Sequence, residues 1–121
     1  MILVDTSVWI GHLHKAEPRL VEQLERDEVA CHPLVIEELA LGSLADRAAI
    51  LSLLGDLAAM PMVSHVEVRT LVESHELWGR GLSAVDAHLL ASVRIVPGTQ
   101  LWTRDNRLRA AASRIGVPSI A

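Results

Sequence analysis

Short apolar runs that alternate with helix-like segments constrain the fold of this chain more than any other feature. Strands are predicted at residues 2–4, 29–31, 62–63, 101–103 and 117–120. Helices are predicted at residues 6–14, 17–27, 33–42, 46–59, 66–78, 83–93 and 105–115. Such alternation is typical of a mostly parallel sheet covered by helices. We therefore expect an α/β fold whose functional site lies beyond the carboxyl ends of its strands.

Length and composition favour one globular domain over residues 1–121. Half of the residues are apolar, which is enough for a real core. No apolar run approaches the roughly 20 residues that span a bilayer, and the first run lacks the basic segment of a signal peptide. Cys31 is the only cysteine, which excludes an internal disulfide and fits a reducing cytoplasm. The net charge of −4 disfavours nucleic-acid binding unless cations accompany the chain.

Four carboxylates stand where predicted strands give way to helices or where the chain bends. They are Asp5, Glu38, Asp86 and Asp105. A parallel sheet can bring such positions to one rim, although they are far apart in sequence. Carboxylate oxygens suit Mg²⁺ or Mn²⁺, and an acidic pocket that holds these ions can hydrolyse a phosphodiester bond. The pattern indicates a metal-dependent nuclease.

Each of these acids also has a purely structural interpretation. Asp5 and Asp105 are good N-caps for the helices that follow them. Ser83 and Asp86 have the spacing of a capping box. From these residues alone, capping and metal binding both stay open.

Polar neighbours of the acids are candidates for supporting roles. They are Thr6, Ser7, Ser83, Thr103 and Asn106. A hydroxyl from Thr6 or Ser7 would support Asp5, and Ser83 would support Asp86 while capping its helix. Asn106 offers a neutral oxygen for a metal-bound water.

Residues 37 and 38 are both glutamates, in a helix that is otherwise apolar almost all round and is predicted to be largely buried. A buried carboxylate needs a partner, a metal or an edge position. Helical spacing does not decide between Glu37 and Glu38.

Arginine supplies nearly all of the positive charge. Arg104 and Arg107 lie next to an acid of the quartet and are the better candidates for phosphate contacts. Arg109 and Arg114 are interpreted as part of a solvated helix face.

Other catalytic classes lack their motifs. No His-Glu-x-x-His sequence marks a zinc hydrolase, and no glycine-rich phosphate loop occurs. Ser7 and Ser43 have no flanking glycine elbow, which disfavours a serine hydrolase. The three aromatic residues, Trp9, Trp78 and Trp102, are expected in the core rather than on a base-stacking platform.

Four short motifs in fixed order resemble those of PIN-domain nucleases, and most closely the VapC toxins of bacterial toxin–antitoxin pairs. They are Val4-Asp5-Thr6-Ser7, Glu38-Leu39-x-x-Gly42, Val85-Asp86-Ala87-x-Leu89-Leu90-Ala91 and Leu101-Trp102-Thr103-Arg104-Asp105. The resemblance covers nearly the whole chain. Because the family's acid precedes Leu-x-x-Gly, it points to Glu38 rather than Glu37.

The resemblance also implies a fold, an activity and partners. The fold would be PIN-like, a central five-stranded mostly parallel sheet with helices on both faces. The activity would be endoribonucleolytic, with Asp5, Asp86 and Asp105 as direct or water-mediated ligands of Mg²⁺ or Mn²⁺ that activates water. Glu38 would be a further ligand or would orient that water. A VapB-type antitoxin would bind across the groove, and the toxin would form a homodimer.

Three alternatives remain at the level of sequence. A receiver-like, Mg²⁺-binding phospho-acceptor domain has a similar length, but the chain lacks its paired acids after the first strand and its late lysine. A catalytically silent PIN-like binding module would have lost acids that are present here. Cleavage of DNA is disfavoured only by the resemblance. For the nuclease, alanine at Asp5 or Asp86 is expected to abolish cleavage without unfolding the chain.

Overall fold

The computed structural model describes all 121 residues as five strands and seven helices. The strands are β1 (Ile2–Val4), β2 (Val29–Cys31), β3 (Ala58–Ala59), β4 (Gln100–Trp102) and β5 (Ser119–Ile120). The helices are α1 (Thr6–His14), α2 (Pro18–Glu25), α3 (Pro33–Ala40), α4 (Arg47–Asp56), α5 (His65–Ser74), α6 (Ala84–Ile95) and α7 (Asn106–Arg114). All strand pairs are parallel, in the order β3-β2-β1-β4-β5. The predicted α/β fold is confirmed.

The strand order places a topological switch point in the middle of the sheet. The chain leaves β1 toward β2 and β3, then returns to add β4 and β5 on the other side of β1. Right-handed crossovers in two opposite directions put their helices on opposite faces. The loops after β1 and β4 therefore open a crevice at the carboxyl edge. The Asp5 N–H donates to the Trp102 carbonyl across this gap (2.9 Å).

The core lies against the central strands and the most buried helix, α6. Every residue from Ala87 to Val93 is buried, and Leu3, Leu89, Leu90 and Leu101 have no exposed surface. Full burial of one such leucine contributes about 1.5–3 kcal/mol. Burial of this continuous stretch on every side of the helix anchors α6 in the core, so its first turn, with Asp86, is fixed at the carboxyl edge. No helix in the structure is both long and apolar enough to cross a membrane.

The third strand differs from its prediction. Residues 62–63 form no strand, and the predicted helix 46–59 ends at Asp56, so that Ala58–Ala59 forms β3. Ala58 and Ala59 pair with Ala30 and Cys31 of β2. Alanine favours a helix by local propensity, but pairing along the open edge of β2 overrides that preference.

The segment around Trp78 is the second difference. Helix α5 ends at Ser74, not near Trp78, and Glu76 adopts a left-handed conformation with φ of 52°. The Leu77 N–H then donates to the Val72 carbonyl (3.0 Å), and Leu77 is buried. Trp78 is 56% exposed, so its predicted place in the core is wrong, whereas Trp9 and Trp102 are buried as expected.

Helix α3 is less buried than its composition suggested. Only Val35 and Leu39 are buried along it, and Leu41, just after it, is 89% exposed. Both glutamates of the helix are exposed. The prediction that this helix is largely buried is therefore wrong, and its glutamates lie at a solvent edge, while metal binding by Glu38 stays a prediction.

Candidate active site

Asp5 sits at the carboxyl end of the central strand and is buried despite its charge. Three donors satisfy its carboxylate. The Thr6 N–H donates to Oδ1 (2.7 Å), and the hydroxyls of Ser7 and Thr103 donate to Oδ2 (2.8 and 2.7 Å). Asp5 is also the N-cap of α1. Capping and a place in the site are thus not alternatives at this residue, because one carboxylate does both.

Two hydroxyls join the loop after β1 to the loop after β4. Thr103 accepts from the Asp105 N–H (3.0 Å), and Ser7 accepts from the Arg104 N–H (3.3 Å). Both hydroxyls donate to Asp5 at the same time. These hydrogen bonds join residues near the two ends of the sequence, and they fix the position of Asp5 relative to Asp105.

Asp105 caps α7 with one oxygen. Its Oδ1 accepts from the N–H groups of Arg107 (2.9 Å) and Leu108 (3.4 Å). Oδ2 takes part in no hydrogen bond within the protein. The half-exposed side chain therefore keeps one oxygen for a ligand.

Asp86 lies in the first turn of α6 and completes a capping box. The Ser83 N–H donates to Oδ2 (2.9 Å), and the Ser83 hydroxyl accepts from the Asp86 N–H (3.1 Å). Burial raises the pKa of the Asp86 carboxyl above its ordinary value, and the charges of Asp5 and Asp105 add to the rise, while the bonds with Ser83 oppose it. The three aspartates are therefore close enough for their charges to interact.

Glu38 approaches this group from α3. Its Oε1 accepts from the Thr6 hydroxyl (2.6 Å), and Thr6 in turn donates its N–H to Asp5. Glu37 makes no comparable contact and is exposed. The geometry favours the same glutamate as the family pattern did.

The four predicted acids thus lie at one edge of the sheet, but they do not form a preorganised metal-coordination site. No three His, Cys, Asp or Glu side chains come close enough to one another to form a metal site. Each acid is held by hydrogen bonds on one side. These contacts fix the carboxylates a short distance apart rather than at coordination distance from one point.

The donor set fits a hard divalent cation that keeps part of its water shell. All four acids offer oxygen, which Mg²⁺ and Mn²⁺ prefer, and Mg²⁺ usually binds one or two carboxylates directly and retains several waters. One oxygen each of Glu38, Asp86 and Asp105 is free of protein hydrogen bonds, and Asp5 Oδ1 accepts only one. Burial, and to a smaller extent the charges of Asp5 and Asp105, raise the pKa of Asp86, and a bound cation would offset both effects.

Two residues near the acids, Arg104 and Asn106, make no hydrogen bond to the four carboxylates. Arg104 forms an ion pair with Glu17 (2.5 Å) and lies across α1 where Gly11 has no side chain. It is therefore engaged, which weakens its case as a phosphate contact. Asn106 is exposed and makes no hydrogen bond to any of the acids. No local sequence signal could have revealed a pair 87 residues apart.

Comparison with known proteins identifies the family of the chain. The family model described as PIN domain matches residues 2–113. The chain is 62% identical over 117 residues to the protein named Ribonuclease VapC32 from two Mycobacterium tuberculosis strains, CDC 1551 / Oshkosh and ATCC 25618 / H37Rv. Each match covers 97% of this chain and 94% of the relative. The chain therefore belongs to the PIN domain family, among its VapC-type ribonucleases.

Proposed function

We propose that this protein is a metal-dependent endoribonuclease and the toxin of a type II toxin–antitoxin pair. The observation that carries the proposal is the gathering of Asp5, Asp86 and Asp105 at the switch point, where the Thr103 hydroxyl joins Asp5 to Asp105 and Asp86 lies in the first turn of α6 close enough for their charges to act on it. The similarity to a protein named as a VapC ribonuclease supports RNA as the substrate.

In this proposal the chain's own residues prepare the site. Asp5, Asp86 and Asp105 would hold the cation, directly or through water, and the hydroxyls of Ser7 and Thr103 keep Asp5 in place. When bound, Mg²⁺ or Mn²⁺ lowers the pKa of water and stabilises charge on the phosphodiester oxygens. Glu38, which accepts a hydrogen bond from the Thr6 hydroxyl, would be a further ligand or would orient the water.

A direct test incubates the purified protein with total bacterial RNA in Mg²⁺ or Mn²⁺, against EDTA. Asp86→Asn is the preferred inactive control, because it keeps the size and one acceptor of the side chain. Discrete metal-dependent fragments that the variant does not produce would support the proposal. A folded protein that binds Mn²⁺ in calorimetry but cleaves nothing would favour the silent binding module. A single-stranded DNA of matched sequence tests the choice of substrate.

A VapB-type antitoxin is the proposed partner. A groove of about 570 Å³ lies between α1, α3 and α4, with Glu38 on its wall. Ile10, Leu13, Leu39 and Ile50 supply apolar surface to it. An apolar groove with Glu38 on its wall suits an antitoxin helix that would cover this side of the site. Co-expression should restore growth only if this groove is intact, and Ile10→Asp should abolish the rescue while leaving cleavage unchanged.

A homodimer and a cytoplasmic location complete the proposal. Val66 on α5 and Ile95 on α6 are 72% and 56% exposed, and these two helices pack against each other, so their outer faces are the surface proposed for the dimer contact. Light scattering on the purified toxin tests the dimer, and Val66→Glu should shift the mass to that of a monomer. The single buried thiol fits a reducing compartment.

A further inference from the structure

A second groove, lined by arginines, lies on the other side of the acids. Its volume is about 870 Å³, and Arg80, Arg107 and Arg114 line it. The remaining lining residues are neutral: Gly79, Asn106, Ala110, Ala111 and Ser113. No carboxylate lines this groove, although the chain carries a net charge of −4. The groove is therefore positively charged although the protein as a whole is negatively charged.

The lining of the groove includes residues next to the candidate active site in the chain. Asn106 follows Asp105 directly, and the Arg107 N–H donates to the Asp105 carboxylate (2.9 Å). On the opposite wall, Gly79 and Arg80 lie just before Ser83, which caps the helix of Asp86. A strand whose phosphate sat at the acids would enter this groove next.

Two of the arginines are held by the turn that follows α5. Arg80 Nε donates to the Glu76 carbonyl (2.8 Å), and Arg114 Nε donates to the His75 carbonyl (2.9 Å). The terminal nitrogens of Arg80 have no protein partner. Arg114 has a 3.4 Å contact with the Glu76 carboxylate, an exposed pair of small energy that leaves its charge available.

Arg107 is the third arginine and the one nearest the acids. Its guanidinium forms no ion pair and no hydrogen bond within the protein. The side chain lies over Gly81, where an added Cβ would come within 2.8 Å of the Arg107 Cδ and a terminal nitrogen. Because Gly81 has no side chain, there is room here for the unpaired guanidinium of Arg107.

We propose that this groove, the Arg80/Arg107/Arg114 groove, binds the phosphate backbone of the RNA strand beyond the scissile bond. Arginine pairs well with phosphate, and a held side chain loses little entropy on binding. A phosphate track explains how an acidic protein retains RNA. The inference rests on the proposed nuclease function and names the surface by which that site takes its substrate.

The test measures affinity for a labelled single-stranded RNA of about 12 nucleotides, with Ca²⁺ in place of Mg²⁺ and intact RNA verified on a gel. Arg107→Gln and Arg80→Gln are compared with Arg109→Gln. Arg109 lies on the same helix, is exposed and is outside the groove, so the control changes net charge equally. Losing one phosphate contact should lower the salt slope by about 0.7, which is about fivefold in affinity over a tenfold salt range.

Two glycine variants test whether the position of the Arg107 side chain matters when its charge is kept. Gly81 and Gly79 both have positive φ, 77° and 69°, so alanine strains either backbone. Only at Gly81 does the new Cβ collide with Arg107; at Gly79 it meets nothing within 4 Å. Gly81→Ala should therefore weaken RNA binding as Arg107→Gln does, and Gly79→Ala should not. If Gly81→Ala fails to fold, the arginine variants still decide the question.

The outcomes also separate this inference from the nuclease proposal. In one outcome, cleavage depends on metal and on Asp86, but Arg107→Gln and Arg109→Gln have the same RNA affinity and salt slope. That outcome would overturn RNA binding by the groove and keep the nuclease proposal. RNA binding that weakens in Arg107→Gln, without any cleavage by the wild type, would keep the groove and overturn the nuclease. In an active enzyme, Arg107→Gln should raise KM with kcat unchanged. The same groove could instead bind an acidic peptide, for which polyglutamate is the probe. If Arg107→Gln weakens binding of polyglutamate and leaves RNA affinity unchanged, the inference is overturned.

Discussion

Replacing Asp5 with alanine should destabilise the protein as well as abolish cleavage. The structure revises the expectation from sequence that this change leaves the fold intact. Asp5 is buried, caps α1 and accepts hydrogen bonds from Thr6, Ser7 and Thr103. Asp86→Ala differs, because that carboxylate accepts a single bond, from Ser83, and is itself strained by burial and repulsion.

The cost of the Asp5 change follows from these contacts. A hydrogen bond to a charged acceptor contributes about 1.5–3 kcal/mol, and a buried donor left without a partner costs about 1–3 kcal/mol. The Thr103 hydroxyl is fully buried and loses its only acceptor, whereas water can reach Thr6 and Ser7. Relief of repulsion at Asp86 offsets part of the loss. The net destabilisation is about 3 kcal/mol, which lowers Tm by about 12 °C for a chain of this length.

Urea and thermal unfolding at pH 7 measure this cost. Asp5→Asn should lose about 2 kcal/mol, less than alanine, because the amide oxygen still accepts from the Thr6 N–H while the amide NH2 faces the hydroxyls of Ser7 and Thr103 and cannot accept from them. Asp86→Ala should stay within about 1 kcal/mol of wild type, since lost capping and relieved repulsion oppose each other. An Asp5→Ala protein that melts with the wild type would refute the argument, because the hydrogen-bond link between the β1 and β4 loops would then carry no stability.

Three further changes follow from buried or capping groups. Burial lowers the pKa of His32 to about 4, so the native state binds fewer protons than the unfolded state. The free energy of unfolding therefore falls once pH drops below about 6.5, by about 2 kcal/mol at pH 5 and about 3 kcal/mol at pH 4. His32→Asn keeps a cap acceptor and should remove that part of the pH dependence in urea titrations; an unchanged profile would contradict the assignment. Burial raises the pKa of the Cys31 thiol to about 11, so a disulfide reagent at pH 8 should label it only on unfolding, and rapid labelling of the native protein would count against this. Ser83→Ala should cost about 1 kcal/mol and Ser83→Gly only a few tenths of that, and equal losses would argue against the capping box.

Prediction from sequence succeeded where local pattern and tertiary structure agree. The apolar runs at β1, β2 and β4 fit buried parallel strands, and the predicted helices begin close to their observed first residues. The third strand failed because Ala58 and Ala59 owe their conformation to the edge of β2. Trp78 failed because a left-handed residue, Glu76, turns the chain so that Leu77 takes the buried place.

The candidate site shows the same division at the level of single side chains. Sequence named Asp5, Glu38, Asp86 and Asp105, but left capping and metal binding as alternatives. The structure brings the four acids to one edge and has the three aspartates cap helices at the same time. Whether they bind metal is part of the proposal.

Sequence by itself determined the fold class, the family motifs and the chemical type of the candidate ligands, because these depend on local periodicity and residue identity. Only the tertiary structure decided which charges are free. It paired Arg104 with Glu17, left Arg107 unpaired over Gly81, and linked Glu38 to Thr6. The physical reason is that Coulomb and hydrogen-bond energies depend on distances between residues far apart in the chain, and the crossovers of a parallel sheet set those distances.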